Sequence, residues 1–150
     1  MISLLFEVDG QRYGLDIAYV LKVLPSVRLR RLPRAPDYVA GIFRYRGAMV
    51  PVIDLSQVIK GRPVHALLST RIILVRYPAP SGEDRVLGLL AEKATDSLDD
   101  RMTRPEASGV AVPEAPYLGG LSVASGGIIQ HVNVKHLLPD ELRERLFVEE

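Results

Sequence analysis

The sequence GIFRYRGAMVPVIDL, residues 41–55, constrains the fold more than any other stretch of the chain. Residues 41–46 carry large β-prone side chains that can face both sides of a sheet. Arg46 and Gly47 predict a tight turn, because glycine adopts a positive φ at no steric cost. The apolar residues 48–53 predict a returning strand. The stretch therefore predicts a β-hairpin.

The end of this stretch predicts how the chain continues. Pro51 lacks an N–H and therefore fits only an edge position or a bulge. Asp54 is a favourable N-cap for a short helix, and Gly61 is a favourable residue to end it. The hairpin presents Arg44 and Arg46 on a rigid scaffold, with no catalytic group beside them in the sequence. This combination is typical of a docking surface.

Period-two alternation of apolar residues predicts further strands. Residues 2–8 and 11–15 predict a hairpin around an Asp-Gly turn. Residues 71–77 are too apolar for a half-exposed strand, so they should lie centrally in a sheet, paired with residues 85–91. The remaining predictions are strands at 27–32, 95–98, 117–123 and 127–134, and a long loop at 99–116.

Short helical segments are predicted at three other places. Asp16 caps the first and Pro25 ends it. Its apolar residues recur at helical spacing, namely Ile17, Val20, Leu21 and Leu24. Residues 37–40 predict a single helical turn, and Pro139 begins a C-terminal helix. Many short strands with few helices predict a mainly β fold, built of closed or nearly closed barrels.

Length and composition limit the class of protein. A chain of 150 residues suits one domain or two small packed subdomains, and 47% apolar residues is ordinary for a globular protein. The lack of cysteine excludes disulfides, a thiolate nucleophile and a cysteine-based zinc site. Neither an export signal nor an apolar run approaching about 18 residues is recognisable. We therefore expect a soluble cytoplasmic protein without direct membrane insertion.

The net charge of +1 hides an uneven distribution. Residues 26–46 contain six arginines and one aspartate, so this segment carries +5 and the rest of the chain −4. The arginines are Arg28, Arg30, Arg31, Arg34, Arg44 and Arg46. Such a dipolar molecule can steer onto an acidic partner. A solvated strand face is the alternative explanation of these arginines.

No catalytic or metal-binding pattern is present. His65, His131 and His136 have no cysteine partners and no HExxH spacing, so ordinary surface or packing histidines are expected. The GxSxG elbow, the P-loop and the GxGxxG motif do not occur. We expect no enzymatic activity, no cofactor and no metal.

A small β-barrel that binds RNA or single-stranded DNA is the alternative function. The arginines between residues 28 and 46 interleave with Phe43 and Tyr45, which is suitable chemistry for single strands. However, the sequence pI of about 8.0 lies below the guide of about 9 for such domains. Nucleic acid is therefore not the expected partner.

The motif at residues 41–55 also resembles the signature of the CheW family of chemosensory coupling proteins. The similarity extends over about residues 4–138 and includes YGLDI, LPRAPDYVAG, RVLGLLAE and YLGGL in the family order. The resemblance implies one domain over residues 1–150, made of two intertwined SH3-like five-stranded β-barrels. It also implies an adaptor between the cytoplasmic tip of a chemoreceptor and the regulatory domain of a CheA-like histidine kinase, held at the inner face of the membrane by the receptor.

The resemblance suggests candidate receptor- or kinase-binding residues, which are Val20, Lys22, Gly41, Arg44, Arg46 and Gly47. The corresponding family surface holds a receptor helix in an apolar groove, whose rim arginines pair with acids. Val20 falls in the predicted first helix, which borders that groove. Turn geometry alone is the alternative explanation of the two glycines.

This chain departs from the family pattern at three places. Arg44-Tyr45-Arg46-Gly47 stands where many members carry Asn-Leu-Arg-Gly. Lys22 stands where members commonly place a glutamate, so a salt bridge that would orient Arg46 is missing and an altered receptor specificity is expected. Residues 91–94, AEKA, replace a Val-Asp-x-Val region. The RYRG, PYLGG and GGIIQ segments resemble adaptors of Wsp-type surface-sensing pathways, whose kinase acts on a regulator that produces cyclic-di-GMP.

Overall fold

The computed structural model describes residues 2–64, 69–78, 82–99, 104–106, 117–124 and 127–139, most of which lie in β-strands. The strands are β1 (Ile2–Val8), β2 (Gln11–Asp16), β3 (Val20–Pro25), β4 (Val39–Tyr45), β5 (Ala48–Asp54), β6 (Thr70–Pro78), β7 (Asp84–Asp99), β8 (Arg104–Glu106), β9 (Leu118–Ala124) and β10 (Gly127–Val132). The helices are α1 (Leu55–Lys60) and two 3₁₀ turns, Ile17–Tyr19 and Val134–His136. No helix in the described part is long and apolar enough to cross a membrane. The predicted mainly β class is confirmed.

The strands form two groups that share β7. In the first group, β6 lies between β3 and the N-terminal half of β7, while β5 pairs in parallel with β7 and antiparallel with β4. In the second group, the C-terminal half of β7 pairs with β1, and β2, β10, β9 and β8 follow in that order. The division of the chain into two intertwined barrels stays a prediction.

Two central segments, β6 and residues 87–91 of β7, are buried on both faces. Ile72 and Leu74 of β6 belong to a smaller core, together with the β5 residues Val50 and Val52. The intervening β6 residues, such as Ile73, belong to a larger core that includes side chains of β1 and β2. Fully burying one such side chain contributes about 1.5–3 kcal/mol. The central position predicted for residues 71–77 is confirmed.

The hairpin predicted at residues 41–55 is present. β4 and β5 pair through Tyr45 and Ala48, so the turn consists of the two residues between them. Pro51 pairs with β4, and the ladder between β5 and β7 begins only at the next residue, Val52. The missing N–H of Pro51 therefore costs no ladder bond to β7.

Asp54 ends β5 and organises the segment that follows. Its Oδ1 accepts hydrogen bonds from the backbone N–H groups of Ser56 at 3.0 Å and Gln57 at 3.2 Å, which is N-cap geometry. Its Oδ2 accepts a further bond from Val64 N at 2.9 Å. Gly61 ends α1 in the left-handed conformation, with φ 71°. The predicted cap and stop are both confirmed.

A single bridge joins the segment after β3 to β4. Arg30 N donates to Ile42 O at 2.9 Å, and Ile42 N donates to Arg30 O at 2.8 Å. Gly41 permits this approach, because a Cβ at that position would lie 2.5 Å from Arg30 O and the backbone has φ +150°. The full strand predicted at residues 27–32 is wrong. β4 has a register shift against β5 between Val39 and Gly41, and the described pairing of residues 27–32 with β4 is limited to Arg30 and Ile42.

The helix predicted after Asp16 is also wrong beyond its first turn. Asp16 caps only the 3₁₀ turn Ile17–Tyr19, and β3 begins at Val20. The register of β3 against β6 shifts between Val20 and Lys22, so that Leu21 and Lys22 are both exposed, whereas Val20 and the two residues after Lys22 are partly buried. This bulge gives a strand the apolar spacing of a helix.

Other predicted segments differ in extent. Residues 37–40 contain a turn closed by a hydrogen bond from Val39 N to Pro36 O at 2.9 Å, after which β4 begins, and no helical turn forms. Residues 95–98 continue β7, and β8 interrupts the predicted loop at 99–116. The hairpin predicted from residues 117–134 is present as β9 and β10. The C-terminal helix lies outside the described residues.

Asp54→Ala should lower the free energy of unfolding by about 2–3 kcal/mol. The substitution removes an N-cap, which is worth about 1 kcal/mol, and leaves the partly buried Val64 N–H without its acceptor. Urea denaturation followed by circular dichroism measures the loss. Asp16→Ala is the matched control, because its exposed carboxylate accepts one backbone bond from Ala18. An equal loss in both variants would contradict the organising role of Asp54.

Gly41→Ala should lower the free energy of unfolding by about 2–4 kcal/mol, because the new Cβ collides with Arg30 O and L residues disfavour the positive φ. Gly120→Ala is the control. A Cβ at Gly120 meets nothing within 4 Å, and its φ is ordinary, so its effect should stay within about 0.5 kcal/mol. If both variants denature at the same urea concentration as the parent, the bridge is not required for stability.

Candidate docking surface

The six candidate residues lie on β3, on β4 and in the turn after β4. The turn and the end of β4 bring Arg44, Arg46 and Gly47 together. Val20 and Lys22 lie on β3, which pairs with β6 and not with β4. Val20 is therefore a strand residue, and its assignment to a helix was wrong. Gly41 lies earlier on β4, beneath the Arg30 bridge.

Alternation along β4 separates its arginine from its aromatic residues. Phe43 and Tyr45 are partly buried and pack against the smaller core, with their ring centroids 6.3 Å apart. Arg44 lies between them in the sequence and is exposed. Its partner across the hairpin is Met49, which is 57% exposed. The hairpin therefore presents a cation and an apolar side chain to solvent at neighbouring positions.

An aromatic ring orients Arg46. The backbone of Arg46 has φ 49°, a left-handed conformation that places it in the two-residue turn with Gly47 at φ 82°. Its guanidinium carbon lies 5.3 Å from the centroid of the Tyr45 ring. Such a cation–π contact is worth about 0.5–1 kcal/mol at an exposed site. Among the described residues, Tyr45 and not a carboxylate contacts the guanidinium group of Arg46.

The two candidate glycines have local structural explanations. Gly41 is buried and required by the close approach of Arg30. Gly47 has open space where a side chain would be, so its positive φ in the turn is the feature that favours glycine. Turn geometry therefore explains Gly47, and close backbone packing explains Gly41. Neither position needs a bound partner to account for its residue.

The arginines of residues 26–46 keep their charge uncompensated within the described structure. None of the six makes an ion pair with a described carboxylate. The described ion pairs lie elsewhere, as in the 2.8 Å contact between Arg62 and Asp9. Lys22 on β3 is also exposed and has no described acidic partner. This part of the molecule therefore retains the positive field that its sequence predicts.

Exposed apolar side chains accompany these cations. Leu21 is 49% exposed and precedes Lys22, and Val27 is 43% exposed and precedes Arg28. Met49 pairs with Arg44 across the hairpin. The pairing of Arg30 with Ile42 holds the segment after β3 against β4. We use the name arginine surface for the exposed residues of β3, of this segment and of the β4–β5 hairpin, which are Leu21, Lys22, Val27, Arg28, Arg30, Arg44, Arg46 and Met49. Exposed apolar groups beside cations mark sites of protein association more often than isolated charges do.

Sequence reasoning missed the apolar members of the arginine surface. Leu21 was assigned to the buried stripe of a helix, because the bulge in β3 imitates helical spacing. The apolar residues 48–53 predicted a strand that contains Met49, but they did not indicate whether its side chain faces solvent. The strict alternation of Arg44 with Phe43 and Tyr45 could have indicated that the residue opposite Arg44 also faces solvent.

The alternative functions gain little from this geometry. Phe43 and Tyr45 pack inward, and Arg46 covers the Tyr45 ring, so these aromatic faces are poorly placed to stack with bases. His131 Nε2 lies 2.7 Å from Ser122 Oγ, and His136 is exposed in a 3₁₀ turn. The described ranges contain no group of three or more potential metal ligands. His65 lies outside them.

Comparison with known proteins identifies the family. The family model described as CheW-like domain matches residues 3–142. The chain is 26% identical over 140 residues to the chemotaxis protein CheW of Klebsiella aerogenes, covering 92% of this chain and 81% of that protein. It is 32% identical over 124 residues to the protein FrzA of Myxococcus xanthus, covering 81% and 73%.

A solved structure shares the fold. The crystal structure of the scaffolding protein TtCheW from Thermoanaerobacter tengcongensis superposes with a TM-score of 0.75 at 24% identity, covering 92% of this chain and 87% of that one. The family match spans nearly all of the sequence, and the mainly β architecture agrees with it. The chain belongs to the CheW-like domain family.

Proposed function

We propose that this protein is a non-catalytic adaptor that couples a chemoreceptor to a sensor histidine kinase in a chemotaxis-like or surface-sensing pathway. Membership of the CheW-like family supports this function, as do relatives named chemotaxis protein CheW and a structural neighbour described as a scaffolding protein. The observation that carries the proposal is the arginine surface, which combines cations that have no acidic partner among the described residues with exposed apolar side chains.

The receptor contact uses the arginine surface. The cytoplasmic tip of a chemoreceptor is a helical hairpin, and a helix lays an apolar stripe into a groove while its polar residues meet the rim. Leu21, Val27 and Met49 offer apolar contacts, and Arg44 and Arg46 pair with acidic residues of the helix. Contacts of this kind give affinity through the apolar anchors, whereas the rim charges give specificity and speed of association.

The kinase contact lies elsewhere, so that both partners are held at once. Ile128 on β10 is 63% exposed and belongs to the second strand group, far in topology from the arginine surface. A small apolar contact there accommodates the regulatory domain of a CheA-like kinase. Simultaneous docking raises the effective concentration of the kinase at the receptor, and the adaptor itself undergoes no chemical change. The complex lies at the cytoplasmic face of the membrane because the receptor spans it.

The residues that depart from the family pattern bear on specificity. Lys22 replaces a carboxylate with a cation, and Tyr45 supplies an aromatic support for Arg46. Lys22 in place of a glutamate makes the charge of this surface more positive by two than in the usual pattern, which favours a more acidic receptor helix. This preference and the Wsp-like RYRG segment support a surface-sensing pathway whose kinase leads to cyclic-di-GMP production.

Arg46→Glu should abolish recovery of the receptor in a pull-down from native lysate, analysed by mass spectrometry. The substitution reverses a charge at the tip of the hairpin, where repulsion from an acidic helix is expected to cost several kcal/mol. The wild-type protein should recover a chemoreceptor and a histidine kinase together. Nucleic acid that co-purifies without either protein, and is released by salt, would instead support the alternative RNA-binding function.

Arg62→Glu is the matched control for this experiment. Arg62 is also an exposed arginine, but it lies beyond α1, at the end of β5 opposite to Arg46. A strand of this length separates its ends by about 20 Å. The control should retain both partners. Equal loss of the receptor in both variants would show that net charge, and not the arginine surface, governs binding.

Lys22→Glu should weaken binding of the recovered receptor by about tenfold, because it replaces attraction with repulsion at one rim position. Titration of the purified receptor tip by isothermal calorimetry at low and high salt measures the effect. The difference between the variants should shrink at high salt, since exposed charges are screened. An unchanged dissociation constant at low salt would remove Lys22 from the specificity surface.

A further inference from the structure

The β4–β5 hairpin has an inner and an outer face, and two arginines lie on the outer one. Phe43 packs against the smaller core, so its neighbours Ile42 and Arg44 face the other way. The bridge pairs Arg30 with Ile42, and residues directly opposite each other in an antiparallel pair project from the same face. Arg30 and Arg44 therefore share the outer face, and both are exposed.

The residue before Arg30 supports this orientation. Leu29 packs against the smaller core, on the inner side of the hairpin. It meets β4 at Gly41, where an added Cβ would lie 3.0 Å from Leu29 Cβ. Because consecutive side chains of an extended segment point to opposite sides, Arg30 points outward when Leu29 points inward. Contacts on both sides of the bridge thus agree on where the Arg30 side chain projects.

The bridge also fixes the separation of the two arginines. Arg30 is directly opposite Ile42, and Arg44 lies two residues further along β4. Diagonal neighbours of this kind have Cα atoms about 7–8 Å apart. Neither guanidinium makes an ion pair with a described carboxylate. Two like charges at this separation repel each other, and a partner that places a carboxylate on each would remove that repulsion.

Met49 supplies an apolar contact beside the two cations. It is directly opposite Arg44 in the hairpin and is 57% exposed. On the same face of β5, Pro51 is buried and Ile53 belongs to the larger core, so burial increases away from the turn. The exposed part of this face is therefore short. A methionine at its edge can adapt its flexible side chain to the surface of a partner.

An α-helix fits this face better than an extended peptide does. An extended peptide binds a sheet by adding its backbone to a free strand edge. β4 has no free edge at this point, because β5 pairs with one edge and Arg30 bridges the other. A helix satisfies its own backbone hydrogen bonds and needs only side-chain contacts. The partner is therefore recognised through its side chains.

The spacing of the arginines specifies which helix fits. Residues i and i+4 of a helix lie on one face, about 6 Å apart along the axis, so carboxylates at these positions reach both Arg30 and Arg44. Residue i+3 belongs to the same face, where an apolar side chain can contact Met49. Acids at i and i+2 lie on different faces, so that only one of them reaches an arginine.

We propose that Arg30 and Arg44 act as an arginine pair that selects a partner helix with acidic residues at positions i and i+4 and an apolar residue at i+3. This inference rests on the proposed receptor contact and identifies the side chains that the receptor helix must carry there. It assigns a specificity role to Arg30, which lies outside the motif at residues 41–55.

Two designed peptides of about 20 residues test the spacing. Both have the same composition and a leucine at i+3, but one carries glutamates at i and i+4 and the other at i and i+2. A hydrocarbon staple on the opposite face keeps both helical, because isolated helices of this length are marginal in water. Dissociation constants come from amide chemical shifts of the full ¹⁵N-labelled chain.

The i, i+4 peptide should bind about threefold more tightly, because it engages two exposed arginines instead of one. Equal binding of the two peptides would overturn the proposal, as would the absence of saturable shift changes at millimolar peptide. An unstapled i, i+2 peptide presents both glutamates on one side when it is extended. Tighter binding of that peptide would show that the face takes an extended segment, which would also overturn the proposal.

Three variants separate the arginine pair from net charge. Arg30→Gln and Arg44→Gln should each remove the preference between the stapled peptides, since the remaining arginine meets only one acid. Arg34→Gln is the matched control, because Arg34 is equally exposed but lies in the turn between Arg30 and β4, outside the arginine surface. It should lower both affinities alike and keep the threefold preference. A preference that persists in Arg30→Gln or Arg44→Gln, or that disappears in Arg34→Gln, would overturn the assignment.

The peptide titration and the receptor pull-down can fail separately. If the wild-type protein recovers no chemoreceptor while the peptide preference holds, the adaptor function fails and the arginine pair stands as a helix-binding site. If the receptor is recovered and lost in Arg46→Glu, but the stapled peptides bind equally, the adaptor function stands and the arginine pair is overturned.

Discussion

The fold depends on burying both faces of β6 and of residues 87–91 in β7. A strand with one solvent-exposed face can belong to a single open sheet, whereas a strand with two apolar faces needs a packed layer of side chains on each face. Ile72 and Leu74 require the smaller core, and Ile73 and Val75 require the larger one. The remaining strands are placed where they cover one of these faces. The hairpin that carries Arg44 and Arg46 belongs to the cover of the smaller core, which fixes the position of the arginine surface.

Local patterns in the sequence predicted the parts of the fold that are themselves local. The Asp54 cap, the Gly61 stop and the hairpins each depend on residues a few positions apart, so their chemistry is visible in the sequence. The parallel pairings of β5 with β7 and of β10 with β2 join residues far apart in the chain. No local pattern specifies such partners, because their stability comes from packing that only the assembled molecule provides.

Two of the wrong predictions near the candidate surface lie beside irregularities in β-strands. A bulge in β3 gives residues 17–24 the apolar spacing of a helix, and residues 27–32 pair with β4 only at Arg30, next to the register shift at Gly41. Both irregularities occur beside Lys22 and Arg30. The charged residues of the surface could therefore be predicted from the sequence. The exposure of Leu21 and Met49 could not, because it depends on the geometry of the strands that carry them.

The sharing of β7 has a mechanical consequence. This strand of 16 residues donates and accepts backbone hydrogen bonds in both groups, with no linker between its two halves. Opening the first group would remove β5 and β6 from the N-terminal half of β7, and opening the second would remove β1 from its C-terminal half, so each group holds part of a strand that the other also uses. A displacement imposed at one end of the molecule is carried by a continuous hydrogen-bonded backbone. The protein can therefore act as a stiff spacer, which keeps whatever it holds at a fixed separation and orientation.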